Sequence, residues 1–141
     1  MTKKTLIIVS ALTVTGVGAS IAMSEYSRKP ETALEKTEVA SITATDLLAA
    51  FVADEQAANA KYVGQQEQAI RVTGTIRSVG PESGGLVNVV LETNDAMAGI
   101  VCEFAKADVP ASWKPGDQVT LKGICTGYLI DVILNRCGSV E

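Results

Sequence analysis

The second half of the chain, residues 69–141, consists of short apolar runs separated by glycine-containing turns. The five runs are, in order, AIRVTGTIRSV, LVNVVLET, AGIVCEF, DQVTLKGIC and IDVILNRC. Regularly spaced short strands are typical of a closed or nearly closed antiparallel barrel. A barrel of this kind is a scaffold for binding and has no chemistry of its own. The pattern therefore predicts the architecture and leaves the ligand open.

The first run has the alternation of a half-buried strand. Ile70, Val72 and Ile76 fall on one side, with Gly74 between them, and polar residues fall on the other. A glycine in mid-strand predicts a tight bend or bulge where a small barrel turns a corner. Residues 106–116, between the third and fourth runs, include two prolines and are too broken for a long helix. Five strands with such a connection follow the order of an OB-fold, so we predict an all-β, five-stranded OB-fold barrel.

The segment ahead of the barrel has the pattern of one amphipathic helix. Thr43 or Thr45 is suited to cap it, and Asp46 in the first turn suits the positive end of the helix dipole. Apolar residues then recur at three- and four-residue steps, and we expect the helix to end near Gly64. The recurring residues are Leu47, Leu48, Phe51, Val52, Ala58 and Tyr62. Such a stripe is typical of a packing surface, so the helix is expected to cover one end or flank of the barrel.

Residues 1–23 have the composition of a membrane segment. Lys3 and Lys4 precede the run from Thr5 to Met23, which has no charged side chain and is long enough to span a bilayer as a helix. One interpretation is an uncleaved transmembrane anchor, which the length of the run favours. The other is a secretory signal peptide, with Ser20-Ile21-Ala22 as its cleavage site.

The rest of the chain divides into a tether and a domain. Residues 24–42 are polar, charged and contain a proline, which predicts a flexible tether. Residues 43–141 then form the helix and the OB-fold barrel. We expect a bacterial cell-membrane protein with a single pass and an exported C-terminal domain. The alternative is a periplasmic or secreted protein released by signal cleavage.

The composition disfavours several classes of function. The chain has a net charge of −4 and no histidine, and residues 43–141 hold twelve acidic and seven basic side chains. Nucleic-acid binders gain affinity by replacing counterions with Lys and Arg, so nucleic acid is not the expected partner. Without histidine, the commonest metal ligand and the commonest general base near neutral pH are missing. Because the remaining residues form no phosphate loop or catalytic triad, we expect no metal, no cofactor and no enzymatic activity.

Several short motifs resemble a known family. The segments KYVGQQEQAIRVTGTIRSV, VVLE, IVCEF and KPGDQVTLKGICTGYLIDVILNRC are similar to the tRNA-anti-like family of bacterial OB-fold proteins. The resemblance covers roughly residues 43–141. It implies an OB-fold in an exported or membrane-attached protein, in a family whose members mostly have no known role. It transfers no residue contacts, because this chain departs from anticodon-binding barrels where they present basic and aromatic groups.

Three cysteines, at positions 102, 125 and 137, raise the question of pairing. None forms a Cys-x-x-Cys motif, which argues against a zinc site or thioredoxin-like chemistry. In an OB-fold the third and fifth strands are parallel neighbours, and Cys102 and Cys137 lie near the ends of these strands. In an exported domain this arrangement predicts a Cys102–Cys137 disulfide, with Cys125 a free, buried thiol. The alternative is that all three are small buried hydrophobes.

The candidate binding surface is the exposed face of the second and third strands with the adjoining loops, where OB-folds bind their ligands. Its expected lining residues are Arg71, Arg77, Asn88, Glu92 and Tyr128. Each of these residues is also compatible with ordinary solvated surface. The leading hypothesis is a non-enzymatic, membrane-tethered or exported module that binds a protein, glycan or peptide in the cell envelope.

Single-stranded nucleic-acid binding is the competing hypothesis. It requires aromatic stacking platforms in a basic groove. Only Tyr62, Trp113 and Tyr128 are candidates for the platforms in an acidic domain. A cluster of basic residues on one face would favour this hypothesis; its members would be Arg71, Arg77, Lys122 and Arg136.

Overall fold

The computed structural model describes residues 31–63 and 68–140, which contain six strands and two α-helices. In chain order the elements are β1 (Thr37–Thr43), α1 (Ala44–Ala53), α2 (Glu55–Tyr62), β2 (Gln68–Val79), β3 (Leu86–Leu91), β4 (Ile100–Ala105), β5 (Gln118–Tyr128) and β6 (Val132–Ser139). Single 3-10 turns cover Ala33–Glu35 and Lys106–Asp108. The second of these turns lies between β4 and β5, in the connection that the sequence analysis predicted to be too broken for a long helix.

Strands β2 to β6 close into a five-stranded barrel. β2 pairs antiparallel with β3 and with β5, β3 pairs antiparallel with β4, and β5 pairs antiparallel with β6. The ring is completed by β4 and β6, which run parallel to each other. The predicted OB-fold barrel, with its third and fifth strands parallel and adjacent, is therefore confirmed.

The barrel interior is filled by apolar side chains from every strand of the ring. Along β2, Ile70, Val72 and Ile76 are buried and Arg71, Thr73, Thr75 and Arg77 are partly exposed, as the alternation predicts. Burial of such side chains is the main term that stabilises a small barrel. The largest fully buried side chains include Phe51, Phe104, Leu47, Ile70, Ile76, Leu91, Ile100, Leu121 and Leu134.

Gly74 allows the first helix to approach the barrel closely. A Cβ atom at this position would lie 2.9 Å from the Cβ atom of Ala44, the first residue of α1. The register shift of β2 against β3 lies further along the strand, between Ile76 and Ser78. Close packing therefore explains the mid-strand glycine, and the bulge that was predicted near it falls two residues later.

Two helices replace the single helix that the sequence predicts. Thr43 caps α1, since its hydroxyl accepts a hydrogen bond from the Asp46 amide at 3.1 Å. Asp54 then interrupts the helix because its backbone is extended, with φ of −157°. Its carboxylate accepts a hydrogen bond from the Ala57 amide at 3.0 Å and so caps α2. A second capping residue in mid-segment is the physical reason for the break.

The predicted apolar stripe of this segment packs on the barrel, with one exception. Leu47, Leu48, Phe51, Ala58 and Tyr62 are buried. The prediction is wrong at Val52, whose side chain is 64% exposed. Val52 follows Phe51, and one step around an α-helix turns a side chain by about 100°, away from the core.

The N-terminal flank, which we define as residues 31–43, is folded onto the barrel. β1 pairs in parallel with the first half of β2, from Thr37 opposite Gln68 to Thr43 opposite Thr73. The sequence analysis had assigned residues up to 42 to a flexible tether, and for residues 33–42 the structure differs from that prediction. The compact unit that holds the barrel begins at Glu31 rather than at residue 43.

A buried lysine of the barrel holds the start of this flank. Lys122 on β5 is only 9% exposed, and its Nζ donates to the carbonyl oxygens of Lys36 at 2.6 Å and Leu34 at 3.4 Å. Ala33, at the same turn, is fully buried in a small cluster with Ala69 and Ile124. A polar segment with few apolar residues is therefore ordered by hydrogen bonds from a distant strand, which local sequence does not reveal.

The predicted membrane segment falls elsewhere in the chain. Residues 1–23, interpreted above as an anchor or signal peptide, lie outside the described residues. Within residues 31–63 and 68–140, none of the helices has the length and apolar character needed to cross a membrane.

Candidate ligand-binding face

The outer face of the barrel, which we define as the outward side chains of β3, β4 and β6, carries a row of half-buried aliphatic residues. Val90 stands opposite Val101, and Val101 stands opposite Ile133. Directly paired residues of a sheet point to the same side and touch. Asn88 and Glu103 form the next pair along β3 and β4 and border this row. These five residues are mainly apolar and include one carboxylate, while the half-buried Asn135 and the exposed Arg136 lie further along β6.

Two turns at one end of this face are hydrogen-bonded to each other. They are the β3–β4 turn, residues 92–99, and the β5–β6 turn, residues 129–131. The Gly99 amide donates to Asp131 Oδ1 at 2.7 Å, and the Val132 amide donates to the Gly99 carbonyl oxygen at 3.1 Å. These bonds bring the two turns together into one surface.

This surface presents three large apolar side chains to solvent. Leu129 is 88% exposed, Met97 is 84% exposed and Ile130 is 66% exposed. They are the three most exposed large hydrophobic side chains of the described residues. We call Met97, Leu129 and Ile130 the apolar tip. Single exposed hydrophobes are ordinary, but a group of them on neighbouring turns indicates an interaction site.

Arg77 on β2 holds the β3–β4 turn through hydrogen bonds to its backbone and to Glu92. Its guanidinium donates to Glu92 Oε2 at 2.9 Å and to the carbonyl oxygens of Asp95 at 2.9 Å and Ala98 at 3.3 Å. A Cβ atom at Gly99 would lie 3.2 Å from the guanidinium and 2.9 Å from a carbonyl oxygen, so glycine gives the guanidinium room. Arg77 therefore fixes the turn that carries Met97.

Short side chains of the turn add further hydrogen bonds. Thr93 Oγ1 donates to the Ala98 carbonyl oxygen at 2.7 Å, and the Met97 amide donates to Asp95 Oδ1 at 2.7 Å. A backbone fixed in this way loses little conformational entropy when its exposed side chains bind. The apolar tip is consequently presented by a preorganised support.

The structure brings only part of the predicted site together. Arg77 and Glu92 form an ion pair beside the β3–β4 turn, and Asn88 lies exposed on the outer face. Tyr128 is half-buried, with its ring centroid 5.7 Å from that of Phe51. Its position between the core and the β5–β6 turn makes it a support for that turn. Of these four residues, Asn88 lies on the outer face, Arg77 and Glu92 lie at the β3–β4 turn, and Tyr128 packs toward the core.

Arg71, the fifth predicted residue, lies apart from them. Its guanidinium donates from Nε and Nη2 to a single carboxylate oxygen of Glu38 on β1, at 3.0 and 2.8 Å. It therefore connects β2 to the N-terminal flank. Its charge is already matched by a carboxylate, which lowers its capacity to attract an anionic ligand.

The basic cluster that would favour nucleic acid does not assemble. Arg71 and Lys122 are directly opposed on β2 and β5, but Lys122 is buried beneath the N-terminal flank. Arg77 is paired with Glu92, and Arg136 is exposed on β6. Elsewhere among the described residues, ion pairs involve Lys36 with Glu31, Lys106 with Glu82, and Lys114 with Asp117.

The aromatic rings of the described residues face one another instead of solvent. Phe51 contacts both Tyr62 and Tyr128, with centroid distances of 6.3 and 5.7 Å. Phe104 contacts Trp113 edge to face at 5.6 Å. Base stacking needs an exposed ring face, and Tyr62, Trp113 and Tyr128 are all at least partly buried. The three candidate platforms therefore contribute to the core.

A cavity of about 270 Å³, separate from the apolar tip, lies where α1 begins beside β2. Hydroxyl and amide groups dominate its wall, and Glu92 supplies a carboxylate. Such a wall is suited to hydroxyl-bearing ligands, but no aromatic ring lines it on which a sugar could stack. Its lining residues are Thr43, Ala44, Thr45, Thr73, Gly74, Thr75, Glu92, Thr93, Asn94 and Gln118.

All three cysteines are buried and carry free thiols in this structure. Burial raises the pKa of Cys102 well above its usual value, and the adjoining Cys137 thiol raises it further. Burial also raises the pKa of Cys125 to about 11. A thiol that stays protonated is a poor nucleophile, so Cys102 and Cys125 are poor candidates for a catalytic nucleophile. The described residues contain no cluster of three or more potential metal ligands.

Sequence reasoning did not identify the apolar tip. One signal was present, because Leu129 and Ile130 form an apolar pair inside a turn between two strands, where polar residues are usual. Met97 gave no comparable signal, and its proximity to the β5–β6 turn follows only from the parallel pairing of β4 with β6.

A closed barrel of this strand order, with an exposed face beside the loop between its last two strands, defines an OB-fold protein. The family model of the tRNA-anti-like proteins matches residues 1–139, and the chain therefore belongs to the tRNA-anti-like family. This match confirms the resemblance seen in the sequence and extends it beyond residues 43–141.

Comparison with solved structures agrees with the fold. A provisionally described nucleic acid-binding lipoprotein from Klebsiella pneumoniae subsp. pneumoniae is similar, with a TM-score of 0.58 and 19% identity. The alignment covers 71% of this chain and 91% of that chain. A provisionally described aspartyl-tRNA synthetase from Leishmania major has a TM-score of 0.41 and 10% identity, over 82% of this chain and 22% of that chain. At these identities the first likeness shows the fold alone and the second carries no argument. No curated protein is found to match the chain.

Proposed function

We propose that this protein is a non-enzymatic OB-fold module, membrane-tethered or exported, that binds a protein partner through its outer face and apolar tip. The observation that carries the proposal is the position of the three most exposed large hydrophobic side chains on two cross-linked turns. One of these turns joins the last two strands of the barrel, and that loop is among those with which OB-folds bind ligands.

The energetics of the apolar tip favour a protein partner. Burial of one large aliphatic or methionine side chain contributes about 1.5–3 kcal/mol. Three such side chains on a preorganised support therefore provide enough gross energy for a hot spot of a protein interface. The aliphatic row of Val90, Val101 and Ile133 extends the contact area along the barrel.

The charges near the tip define the chemistry of the partner. The two turns carry the carboxylates of Asp95 and Asp131, and their described residues include no Lys or Arg. Arg77, beneath the β3–β4 turn, is matched by Glu92. An apolar pocket with a basic rim is the surface that complements this arrangement.

Nucleic acid is the ligand that the proposal must exclude by experiment. The Klebsiella pneumoniae lipoprotein is provisionally described as nucleic acid-binding, which keeps nucleic acid as a candidate ligand for this chain. The pairing of Arg71 with Glu38 and of Arg77 with Glu92, and the burial of Lys122, argue in the other direction. A binder of single strands gains affinity from unpaired cations and exposed rings.

The location of the protein is part of the same proposal. The uncharged run from Thr5 to Met23 supports an anchor or an export signal at the N-terminus. The partner is then a component of the bacterial cell envelope. No catalytic step is assigned to the domain.

Site-specific photo-cross-linking tests the protein-binding proposal directly. A photo-reactive amino acid replaces Ala96 in the β3–β4 turn, next to Met97, in the full chain expressed in cells. Ala60, exposed on α2 and outside the outer face, is the matched control position. We expect a discrete protein adduct from position 96 that is absent from position 60. Equal labelling from both positions, or no adduct from position 96, contradicts the proposal.

A titration with nucleic acid completes the test. The purified full chain in detergent is titrated with labelled single-stranded DNA and RNA at low and at physiological salt. We expect no binding in either condition. Micromolar binding that weakens steeply with salt would replace the proposal with the nucleic-acid hypothesis, because that dependence reports phosphate contacts.

A further inference from the structure

Two of the buried cysteines meet in the interior between parallel strands. Cys102 lies on β4 opposite Leu134 of β6, and Cys137 follows three residues after Leu134 on β6. Both residues belong to the buried core cluster, with exposures of 0% and 1%, and their Sγ atoms donate to the carbonyl oxygens of Ile100 and Leu134. The two thiols are close enough to interact, since Cys137 adds to the rise in the pKa of Cys102. The contact joins segments that are distant in sequence.

A bulge in β6 turns Cys137 inward. Between the pairs Lys122–Gly138 and Ile124–Asn135, β6 contains one residue more than β5. Arg136 lies at this bulge with a positive φ of 52°, and no other non-glycine residue of the described chain has a positive φ. Because Leu134 points inward, a regular strand would direct Cys137 to the opposite side. The bulge reverses this and places the thiol beside Cys102.

The opposite strand leaves space for the sulfur atom. Gly123 of β5 lies across from the bulge, and a Cβ atom there would be 2.7 Å from Cys137 Sγ and 3.0 Å from Leu134 Cβ. Such a distance is too short for a side chain to be accommodated without movement. The left-handed Arg136 on β6 and the glycine at position 123 of β5 thus both accommodate the inward Cys137 thiol.

We propose that Cys102 and Cys137 form a disulfide while the barrel folds, and that Cys125 remains a thiol. The oxidant is a disulfide, either of a thiol–disulfide oxidoreductase or of oxidised glutathione. One cysteine thiolate attacks the oxidant to form a mixed disulfide and release one thiol. The second cysteine thiolate then displaces the other half of the oxidant as a second thiol. The two protein thiols lose two electrons and two protons, and the oxidant is reduced to two thiols.

The bond has to form before the barrel closes. Thiol–disulfide exchange requires a thiolate that can reach the oxidant. In the closed barrel both residues are buried, and burial raises the pKa of Cys102 well above its usual value. Folded, reduced protein is therefore expected to resist oxidation, and folded, oxidised protein to resist reduction.

Refolding in a redox buffer tests the inference. The full chain, denatured and reduced in detergent, is refolded with oxidised and reduced glutathione, and intact mass and peptide mapping are recorded. We expect a loss of two hydrogen atoms, a linked peptide pair containing Cys102 and Cys137, and one titratable thiol at Cys125. The Cys125→Ser variant is the matched control, and it should form the same bond. Three titratable thiols in refolded protein, or a bond that includes Cys125, would overturn the proposal.

Two further measurements keep the test independent of any single variant. Protein that is first folded in reductant and then exposed to oxidised glutathione should keep its thiols at least tenfold longer than unfolded chain. The oxidised protein should melt about 10 °C above the reduced protein, since the bond restricts the unfolded chain. Rapid oxidation of the folded, reduced protein would contradict the proposal that the disulfide forms before the barrel closes. Equal melting temperatures would contradict a structural disulfide.

Discussion

The apolar tip and the N-terminal flank belong to the same barrel but use their side chains in opposite ways. In the flank, polar groups are paired within the domain: Glu38 forms an ion pair with Arg71, and backbone carbonyl oxygens accept hydrogen bonds from Lys122. At the tip, the backbone of the two turns is held by Arg77 and by the short polar side chains of Thr93, Asp95 and Asp131, and large apolar side chains are left exposed.

The comparison indicates that contacts within the flank stabilise the domain, whereas the exposed side chains of the apolar tip are available for binding. In the flank, the backbone is ordered by pairing with β2 and by the bonds to Lys122 and Arg71, so these polar groups are already engaged within the domain. At the tip, the backbone is ordered from beneath, and the exposed side chains stay free to contact a partner. The following variants test this contrast, from the largest expected effect to the smallest.

Removal of the apolar tip should abolish binding without unfolding the domain. We expect the double variant Leu129→Ser and Ile130→Ser to reduce the adduct from a cross-linker at position 96 at least tenfold. Loss of two buried aliphatic side chains costs about 3–6 kcal/mol at an interface. Stability, measured by urea unfolding, should change by no more than about 0.5 kcal/mol, as is usual for exposed positions. A large loss of stability with unchanged cross-linking would reverse the roles assigned to the two regions.

Removal of the buried lysine should affect the flank strongly. Lys122→Met keeps most of the side-chain volume but leaves the carbonyl oxygens of Leu34 and Lys36 without their donor. Hydrogen bonds from a charged group contribute about 1.5–3 kcal/mol, so we expect a loss of about 2 kcal/mol in the free energy of unfolding. Hydrogen exchange should accelerate in β1 and remain unchanged at the β3–β4 turn. Unchanged exchange in β1 would show that the flank does not depend on Lys122.

Loss of the arginine below the β3–β4 turn should loosen the tip. We expect Arg77→Gln to destabilise the domain by about 1 kcal/mol, because one partly exposed ion pair and two bonds to carbonyl oxygens are lost. Amide exchange of Met97 and Gly99 should accelerate. Arg71→Gln is the matched control and should leave these two amides unaffected. Acceleration by both variants would indicate a global effect.

The ion pair of the flank should contribute little energy. Arg71 and Glu38 are 39% and 31% exposed, so solvent screens their attraction. A double-mutant cycle with Arg71→Gln and Glu38→Gln should give a coupling of about 0.5 kcal/mol, measured by urea unfolding. The coupling should decrease in 1 M salt. A coupling above about 2 kcal/mol would mean that the pair is far less solvated than its exposure indicates.

The weakest effect is expected at an exposed ion pair between Glu82 in the β2–β3 loop and Lys106 in the 3-10 turn after β4. A hydrogen bond from Lys106, together with its charge, lowers the pKa of Glu82. A lowered pKa stabilises the fold above the ordinary pKa of the carboxyl group, and this contribution is lost as the pH falls through the lowered value. We expect Lys106→Gln to raise the pKa of Glu82 toward its ordinary value in an NMR titration. An unchanged pKa would assign the shift to the backbone bond with Gly85 instead.

Much of the barrel could be predicted because its signals are local. The alternation of Ile70, Val72 and Ile76 with polar residues identifies a half-buried strand without knowledge of its partners. Glycine-containing turns at regular intervals then indicate the number of strands. The helical segment was also predictable, but the break at Asp54 was missed, because an aspartate inside an apolar stripe is compatible with either a solvated residue or a second cap.

The parts that were missed depend on contacts between distant segments. Few residues of β1 are buried, so its strand conformation comes from pairing with β2 and has no apolar alternation of its own. Arg77 and Glu92 were both assigned to the candidate face, but nothing local indicates that Arg77 also binds two carbonyl oxygens of the next turn. The predicted disulfide stays a prediction, now with a bulge and a glycine that bring Cys102 and Cys137 into contact.

The sequence by itself determined the strand pattern, the family and the scarcity of basic and aromatic groups, because these are properties of composition and of periods of a few residues. Only the tertiary structure decided which polar groups are free, because a charge is neutralised by whichever side chain the fold places beside it. Closure of the barrel joined the β3–β4 and β5–β6 turns, brought Cys137 into the core with Cys102 and covered Lys122 with the N-terminal flank. Each of these contacts joins residues far apart in the chain, and their free energies exist only once the loops between them have closed.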